Sequence, residues 1–301
     1  MMRPYTSLPI TSLTFEGKQI ASFITPGEKN IHPETIKSFG VEWNRFYKFN
    51  EEDIETAGEQ YFDIITSEML NKEKNVLDAG CGSGRWSKYI SERADFIEAI
   101  DPSDAVYAAA HLTKDISNIR ITQASIDNIP FADESFDFIF SLGVMHHLPD
   151  TQHAINKVAS KLKSKGYFML YLYYNMDNRS GPFRFLFSIS NLLRLIISRL
   201  PARFKVIVCD ILALLIYIPL IFIARMMKIL FPNKKWYQRM PLSYYMNKRF
   251  IIIRNDALDR LGTPLEKRFS KVQIEEMMKK AGLKNIVFSN HEPYWHAVGQ
   301  K

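Results

Sequence analysis

Short apolar runs alternate with stretches of helical spacing along most of the chain. Apolar runs of this length, bounded by turn-forming residues, are typical of buried strands, and strands that alternate with helices are typical of an α/β fold. Seven runs predict strands: Val76–Asp78, Phe96–Ile100, Ile119–Ala124, Phe136–Ser141, Tyr167–Leu172, Asn285–Ser289 and Tyr294–Val298. The pattern therefore predicts an α/β sheet whose last two strands follow a long intervening segment.

Helix signals flank several of these runs. The stretch Arg85–Ile90 follows the first strand and predicts a short helix. A second helix is predicted over Glu51–Leu70, because Asn50 is a good N-cap and acidic residues occupy the first turn. A third is predicted over Ser270–Ala281, whose first residue is a suitable N-cap and which Gly282 would end.

Three glycines at alternate positions link the first strand to its helix. Gly80, Gly82 and Gly84 lack a Cβ, so the backbone there can take positive φ and a ligand can approach it closely. Asp101 ends the second strand, roughly 20 residues after the glycines. A carboxylate at this position can accept hydrogen bonds from both hydroxyls of a ribose. The strand–turn–helix unit therefore predicts a nucleotide-like ligand.

Other interpretations of the same turn fit less well. Arg85 stands where the dinucleotide pattern Gly-x-Gly-x-x-Gly requires its third glycine, which disfavours a dehydrogenase, and the Lys-Ser/Thr pair of a P-loop is missing. A tight turn that binds nothing remains the alternative. Cys81 has no evident base beside it, so a small filler residue in a turn is favoured over a nucleophile.

The spacing Asp-x-Gly-x-Gly-x-Gly over Asp78–Gly84 resembles motif I of the class I S-adenosylmethionine-dependent methyltransferases. Together with Asp101-Pro102, Ser125–Phe131 and Ser141–Asp150, in this order, it closely resembles the type 11 methyltransferase domain, the group that includes ubiquinone and menaquinone biosynthesis enzymes. The resemblance covers about residues 60–175. It implies a doubly wound, seven-stranded, mostly parallel Rossmann-like sheet, a helical insertion after strand five, and S-adenosyl-L-methionine as cofactor.

The resemblance also implies roles for individual residues. The three glycines would line the methionine part of the cofactor, Asp78 would lie near its amino group, and Asp101 would hold the ribose. Ser125 stands where the family often carries Asp, so a backbone group at Ile126 is the alternative contact to the adenine amino group. The full set implied for cofactor binding is Asp78, Gly80, Cys81, Gly82, Gly84, Asp101, Pro102, Ser125, Ile126, Ser141, Leu142 and Gly143.

Two histidines follow strand four, at the carboxyl edge where ligands bind in such sheets. One of His146 and His147 could be a general base for the methyl acceptor; the alternative is that they pack against the adenosine or cap the following turn. A hydroxyl acceptor usually needs a base, whereas an amine with a free lone pair does not.

Aromatic residues are candidates for the acceptor pocket. Tyr173 and Tyr174 follow strand five at the same edge. In the resembling enzymes an N-terminal helix closes over the cofactor, which makes Trp43 and Tyr47 candidates as well; packing as core residues is the alternative for each of them.

Composition bounds the compartment and the partners. The chain has 301 residues and two cysteines, Cys81 and Cys209, neither of which looks like half of a structural disulfide, which suits a reducing cytoplasm. The N-terminal residues lack the continuous apolar core of a signal peptide. No zinc-ligand spacing occurs, so we expect no metal site. The sequence does not predict the oligomeric state.

The positive charge is concentrated in one segment. The formal net charge is +7, but residues 179–239 contain eleven lysines and arginines and a single acid, Asp210, and so carry +10. The remainder, at −3, is mildly acidic, which argues against a nucleic-acid-binding face. The motif that DNA amino-methyltransferases carry after strand four is also absent, since Ser141–Val144 stands there.

The same segment interrupts the methyltransferase pattern with two apolar stretches. Phe183–Leu200 contains arginines, and Val206–Ala224 is long enough to span a membrane, but both flanks contribute strands to one sheet, which argues against a single crossing. We therefore expect a helical cap that covers the site, lies on an anionic membrane surface through residues 183–232, or forms a dimer contact. Peripheral attachment to the inner face of a membrane is thus an open alternative to a free cytoplasmic protein.

Four segments follow from these observations. They are an N-terminal capping segment (1–70), the cofactor-binding core (71–178), a basic helical cap (179–245) and a C-terminal completion of the sheet (246–301). The favoured function is methyl transfer to a small-molecule or lipid-linked acceptor, at oxygen, nitrogen or carbon, by direct displacement. The alternative is a non-catalytic, membrane-associated binding protein that keeps the cofactor fold.

Overall fold

The seven predicted strands lie in one sheet, to which an N-terminal hairpin adds two more. The structure is a computed structural model that describes residues 2–45 and 50–301. Its strands are β1 (Thr11–Phe15), β2 (Lys18–Ser22), β3 (Asn75–Ala79), β4 (Phe96–Asp101), β5 (Ile119–Gln123), β6 (Phe136–Leu142), β7 (Leu162–Tyr171), β8 (Lys284–Phe288) and β9 (His296–Gln300).

The spatial order of the strands is β1-β2-β5-β4-β3-β6-β7-β9-β8. Strands β2 to β7 pair in parallel, whereas β1 is antiparallel to β2 and β9 is antiparallel to both β7 and β8. The chain order reverses at β3, which has β4 on one side and β6 on the other, so the crevice beyond its carboxyl end is the expected ligand position of an open α/β sheet.

The helices are α1 (Pro33–Arg45), α2 (Glu51–Tyr61), α3 (Arg85–Ile90), α4 (Ala105–Leu112), α5 (Thr151–Ser160), α6 (Gly181–Ile197), α7 (Ala202–Leu212), α8 (Ile218–Leu230), α9 (Phe250–Gly262) and α10 (Lys271–Lys280). Both faces of the sheet are covered. Val76 of β3 packs in a buried cluster with residues of α3 and α4, and its neighbour Leu77 packs in a second cluster with residues of α5 and α10. The alternation of strand side chains thus produces the doubly wound arrangement, and the predicted fold is confirmed.

The strand count is a correction, since seven strands were expected and nine are found in the described part of the chain. The additional strands, β1 and β2, are joined by Glu16 and Gly17, both at positive φ, which is the geometry of a two-residue hairpin turn. Strand β1 is almost wholly exposed, and β2 adds to the edge beside β5. An exposed edge strand lacks the apolar run that reveals a buried strand.

Helix α2 is shorter than predicted, since it ends well before Leu70, although Asn50 caps it as expected. After the helix, Asp63 hydrogen-bonds with the buried His296, at 2.7 Å between Oδ1 and Nε2. The Ser289 hydroxyl donates to the other oxygen of Asp63 at 2.6 Å. These contacts hold the chain against β8 and β9 instead of allowing the helix to continue.

The chain divides into two units, residues 1–177 with 265–301, and residues 178–264. The second unit is helical and contains α6 to α9. Its core joins the long helix to the segment that follows it, through Ala213, Tyr217, Ile221, Ala224, Tyr245, Met246, Ile253 and Ala257. An Asp210–Arg254 ion pair, at 2.5 Å, ties α7 to α9.

The limits of this unit differ from those expected. We expected the cap to end at residue 245, but α9 packs against α6 and α7 and so belongs to the helical unit. Pro219 lies within the continuous long helix. A π-helical segment, Ala213–Tyr217, lies directly before α8. A proline ring normally clashes with a carbonyl of the preceding helical turn, and the wider π-helical turn makes room for it.

Candidate functional site

The turn after β3 is a backbone cradle that only glycine can form. Gly80, Gly82 and Gly84 have φ values of +93°, +52° and +76°. A Cβ placed on Gly80 would lie 2.5 Å from Cγ1 of Val144, far inside van der Waals contact. The amides of Gly80 and Cys81 both donate to the carbonyl of Ile100, at 2.8 and 2.9 Å, which fixes the turn against β4.

The Asp101 carboxylate is buried in the same turn and is already engaged. One oxygen accepts from the Gly82 amide at 3.0 Å, and the other accepts from the amide and the hydroxyl of Ser103, at 2.9 and 2.6 Å. Since a carboxylate has about four lone-pair positions, only one remains. Contact with both hydroxyls of a ribose therefore requires Ser103 to release its hydroxyl bond, and sequence analysis did not find Ser103.

Asp78 lies under the turn, fully buried at the end of β3. The pKa of Asp78 is raised to about 8. Burial is the main cause; the Ser87 hydroxyl, which donates at 2.7 Å, lowers the pKa, and the nearby Asp101 raises it. Burial likewise raises the pKa of Asp101. Two carboxyls with raised pKa values thus lie beneath the turn, an arrangement that a positively charged ligand would stabilise in its ionised form.

The other residues of the predicted cofactor set differ in whether their side chains are already hydrogen-bonded within the protein. Ser141 lies in β6 with its hydroxyl donating to the Ala79 carbonyl at 2.7 Å, so its side chain serves the sheet. The Ser125 hydroxyl accepts from the Asn128 amide at 3.2 Å. Gly143, at φ +79°, has open space where a Cβ would stand.

The remaining members of the set are apolar or serve the backbone. Ile126 and Leu142 are buried. Burial raises the pKa of the Cys81 thiol well above its usual value, which suits the expected filler role. Pro102 lines a cleft of about 850 Å³ together with residues of the N-terminal segment, among them Ile36 and Lys37.

The hydroxyl of Ser83, within the glycine turn, is buried and has no hydrogen-bond partner among the described residues. A buried hydroxyl without a partner costs about 1–3 kcal/mol, so a ligand that accepts its hydrogen bond would be stabilised there. Together with the Gly80 cradle and the buried Asp101, this fits a ligand with a carboxylate and a ribose, as S-adenosylmethionine has.

His146 is fully buried in the turn after β6 and is a neutral donor. Burial lowers its pKa well below the usual value, and a positive charge on His147, when that ring is protonated, and the charge of Arg268 lower it further. Its Nδ1 accepts from the Tyr173 amide at 3.4 Å, which places the proton on Nε2. That Nε2 is buried and has no partner within residues 2–45 and 50–301.

His147 has the opposite tautomer. Its Nδ1 lies 2.7 Å from the carbonyl oxygen of Leu265, and a carbonyl can only accept, so Nδ1 carries the proton and the neutral ring has its lone pair on Nε2. The ring of Phe39, from α1, contacts His147 with centroids 4.8 Å apart. Of the two candidate bases, His147 has the base-competent nitrogen in this structure.

A strap that sequence analysis did not connect with the site, residues 265–269, crosses the ends of β6 and β7. Lys267 N donates to the His146 carbonyl and Phe269 N donates to the Tyr173 carbonyl, at 3.0 and 2.9 Å. Glu266 on this strap has a side chain only 2% exposed and pairs with Arg268 through Oε1 at 2.7 Å. Its Oε2 is buried without a hydrogen-bond partner in the described part of the chain.

The predicted acceptor residues separate into two groups. Tyr173 stacks on His146 with centroids 3.9 Å apart, whereas Tyr174 contacts Tyr294 instead, at 5.7 Å. Only Tyr173 therefore joins the histidines. The prediction for Trp43 and Tyr47 lies outside the residues whose side chains are described.

A family model described as a methyltransferase domain matches residues 77–170, the segment from β3 to β7. YcgJ, an uncharacterised methyltransferase of Bacillus subtilis strain 168, is 30% identical over 130 residues, 42% of this chain and 51% of that protein. The crystal structure of YcgJ from that organism aligns with 45% of this chain and 58% of its own, at 29% identity and a TM-score of 0.39.

Two further relatives have assigned substrates. The tRNA U34 carboxymethyltransferase of Nautilia profundicola is 27% identical over 52% of this chain and 48% of its own. The ubiquinone biosynthesis O-methyltransferase of Coxiella burnetii is 26% identical over 48% of this chain and 63% of its own. The chain thus spans roughly half to two thirds of the curated relatives.

The segment matched by the family model contains the cradle, the buried carboxylates and the histidine turn. The expected resemblance to S-adenosylmethionine-dependent methyltransferases is thus confirmed. Residues 77–170 therefore match a methyltransferase domain, and the cofactor of such a domain is S-adenosyl-L-methionine.

Proposed function

We propose that the whole chain is a methyltransferase that transfers a methyl group from S-adenosylmethionine to a small-molecule or lipid-linked acceptor. The observation that carries this proposal is the glycine cradle at Gly80 with Asp101 and the partnerless Ser83 hydroxyl around it. The cofactor supplies a methyl group already activated by a positively charged sulfur. The tasks of the protein are then alignment, exclusion of water and, for a hydroxyl acceptor, removal of a proton.

In this proposal His147 removes the proton. Its Nδ1–H bond to the Leu265 carbonyl fixes the ring, and its Nε2 has the lone pair. His146 donates from Nε2 to the acceptor atom whose proton passes to His147. An atom that accepts from His146 and donates to His147 belongs to a hydroxyl or an amine, and the unpartnered Glu266 Oε2 can accept only from a second donor on the acceptor. Tyr173, stacked on His146, forms part of the acceptor pocket.

For the cofactor we keep the predicted positions, with two changes. Asp78 and the three glycines hold the methionine end, Asp101 holds the ribose after Ser103 rotates away, and backbone groups near Ile126 meet the adenine. The Ser141 side chain is left out, because its hydroxyl is bonded to β3. We also place the protein at the cytoplasmic face of a membrane, because the helical unit leaves a long apolar face exposed.

The test combines binding with product release. We expect calorimetry to detect S-adenosylmethionine and not NAD, and we expect S-adenosylhomocysteine to be released when cofactor and a cell extract are supplied together. Labelled methyl recovered in the organic or aqueous phase then identifies the acceptor class. Binding without release above the extract blank would favour the non-catalytic alternative, and no binding at all would overturn both.

The raised pKa of Asp78 gives cofactor binding a pH dependence. Below about pH 8 the buried carboxyl holds a proton, which a cationic ligand must displace, so affinity should rise with pH by up to about tenfold per unit until pH 8. The stability of the free protein should change in the opposite sense, because the unfolded chain releases this proton near pH 4 and the folded chain does not. Calorimetry and thermal unfolding between pH 6 and about 9 measure both trends.

Asp78→Asn is the control for this prediction. The variant has no proton to release, so both pH trends attributed to this residue should flatten while Ser87 keeps a neutral partner. An unchanged pH slope in the variant would show that another group is responsible.

A further inference from the structure

The long helix of the second unit has an apolar face that its own core does not use. Helices α7 and α8 and the π segment between them are continuous over Ala202–Leu230. Ile216, Ile223 and Leu230 on it are exposed. Nine other exposed apolar side chains recur on it, mostly every three or four residues: Phe204, Ile207, Ile211, Leu214, Leu215, Ile218, Phe222, Met226 and Ile229. We call this set the outer face. Leu215 and Ile229 are each 70% exposed. So many large apolar residues exposed in one patch are unusual on a protein surface.

The other side of the same helix explains why the outer face is left over. Val206, Cys209, Ala213, Tyr217, Ile221 and Ala224 recur with the same period and are buried within the unit. The helix is therefore apolar on two sides, and only one side has a partner in residues 178–264. By length and composition, Arg203–Leu230 is also a helix that could cross a membrane.

Three charged residues of this helix are bonded or buried within the unit, whereas Arg203 and Lys228, one near each end of the helix, are exposed. Asp210 pairs with Arg254, Arg225 donates to the Met246 carbonyl at 2.7 Å, and Lys205 is 8% exposed. The single acid of the helix is thus paired inside the unit, and its exposed charges are cations near its two ends. The nine residues of the outer face can enter an apolar medium while Arg203 and Lys228 stay at the surface of that medium.

Cations and aromatic rings border the far end of the outer face. Beyond α8, the exposed rings of Phe231 and Trp236 lie 5.5 Å apart, and Lys234 Nζ lies 6.0 Å from the Trp236 ring. Exposed aromatic rings beside lysines are typical of side chains at the level of lipid head groups. Helix α6 repeats the pattern, with Phe185, Ile189, Leu192 and Ile196 exposed.

Charge decides between the occupants of this face. Residues 179–239 carry a net charge of +10, so a second copy would bring an equal charge to a shared interface, whereas anionic lipid neutralises it. A single crossing conflicts with the fold, because β7 before the unit and β9 after it are paired in one sheet. The occupant consistent with both observations is the surface of an anionic bilayer.

We propose that the outer face docks on an anionic membrane, with the helix lying in the plane of the interface and its apolar residues among the head groups and upper acyl chains. Amphipathic helices of this kind enter about 5–10 Å deep. The inference does not depend on methyl transfer, since it concerns the free protein and lipid alone. It extends the proposed function by placing a lipid-linked acceptor and the enzyme on the same surface.

The test is sedimentation of the full chain with vesicles of equal parts phosphatidylglycerol and phosphatidylcholine, without cofactor. The double variant Leu215→Glu, Ile229→Glu should lose at least about tenfold in vesicle affinity, because both glutamates would face lipid. The matched control is Val272→Glu, which changes an equally apolar residue, 62% exposed on α10, and should bind as the parent does. Raising salt to about 0.5 M should weaken binding of the parent.

Three results would overturn the proposal. They are no vesicle binding by the parent, equal loss in Val272→Glu and in the double variant, and a stable dimer of the parent that the double variant abolishes. The S-adenosylmethionine affinity and the melting temperature of the double variant are compared with those of the parent, and equal values exclude unfolding. If either has changed, Leu215→Ser alone is measured instead, and it should still reduce vesicle affinity.

Discussion

Replacing Gly80 by alanine should lower S-adenosylmethionine affinity by at least about a hundredfold, or about 2.7 kcal/mol. The new Cβ would lie 2.5 Å from Val144, a distance that real contacts do not reach, and the residue would keep a φ of +93°. The turn must then shift, and the amides that Gly80 and Cys81 donate to Ile100 shift with it. Overpacking and backbone strain of this kind also cost about 2–4 kcal/mol of stability.

Two further variants separate the causes. Gly282→Ala has a similar φ, +85°, but open space around its Cβ, so its loss of stability measures backbone strain alone. Val144→Ala in the Gly80→Ala background removes the two closest contacts, with Cγ1 and Cγ2, and leaves Cβ at 3.0 Å, so it should restore part of both affinity and stability. Calorimetry and thermal unfolding provide the measurements. If Gly80→Ala binds cofactor like the parent, the cradle does not hold the ligand.

The parts of the fold that were predictable are those whose signal is local. The strand β3, the turn at Gly80 and the short helix α3 follow one another in the sequence, and each has its own pattern of apolar residues or glycines. The N-cap Ser270 was found for the same reason, since it and Gln273 form a capping box within a single turn.

Contacts between distant parts of the chain were not predictable in this way. The strap 265–269, which contains Glu266, is bonded to His146, His147 and Tyr173, roughly a hundred residues earlier in the chain. The early end of α2 depends on the contact between Asp63 and His296, which are 233 residues apart in the sequence. Neither pair has a periodicity, spacing or motif that a single sequence reveals.

The N-terminal hairpin is an intermediate case. Glu16-Gly17 between two polar-apolar segments is a turn signal, but β1 is exposed and contributes little to the core. The outer face of the helical unit was also only partly predictable. Its apolar residues are evident from the sequence, but which of them the unit buries depends on how α7 and α8 pack against the segments that follow.

Glutamine at the two histidine positions should slow methyl transfer to a hydroxyl acceptor by very different amounts. His147→Gln puts an amide where the lone pair of Nε2 stands, and an amide is not a base at neutral pH, so single-turnover rates should fall by about 10²–10⁴. His146→Gln keeps a donor at the Nε2 position, and His146 is neutral in the parent because burial lowers its pKa, so the loss there should stay below about tenfold.

The comparison is informative because the two side chains are alike in burial and lie in the same turn, with rings 3.9 Å apart. A purely packing role would make both substitutions similar in stability and in rate. Cofactor affinity, measured separately by calorimetry, should be unchanged in both, which restricts the effect to the acceptor. Equal rates for the two variants would contradict the assignment of the base to His147, and a full rate in His147→Gln would indicate an acceptor, such as an amine with a free lone pair, that needs no base.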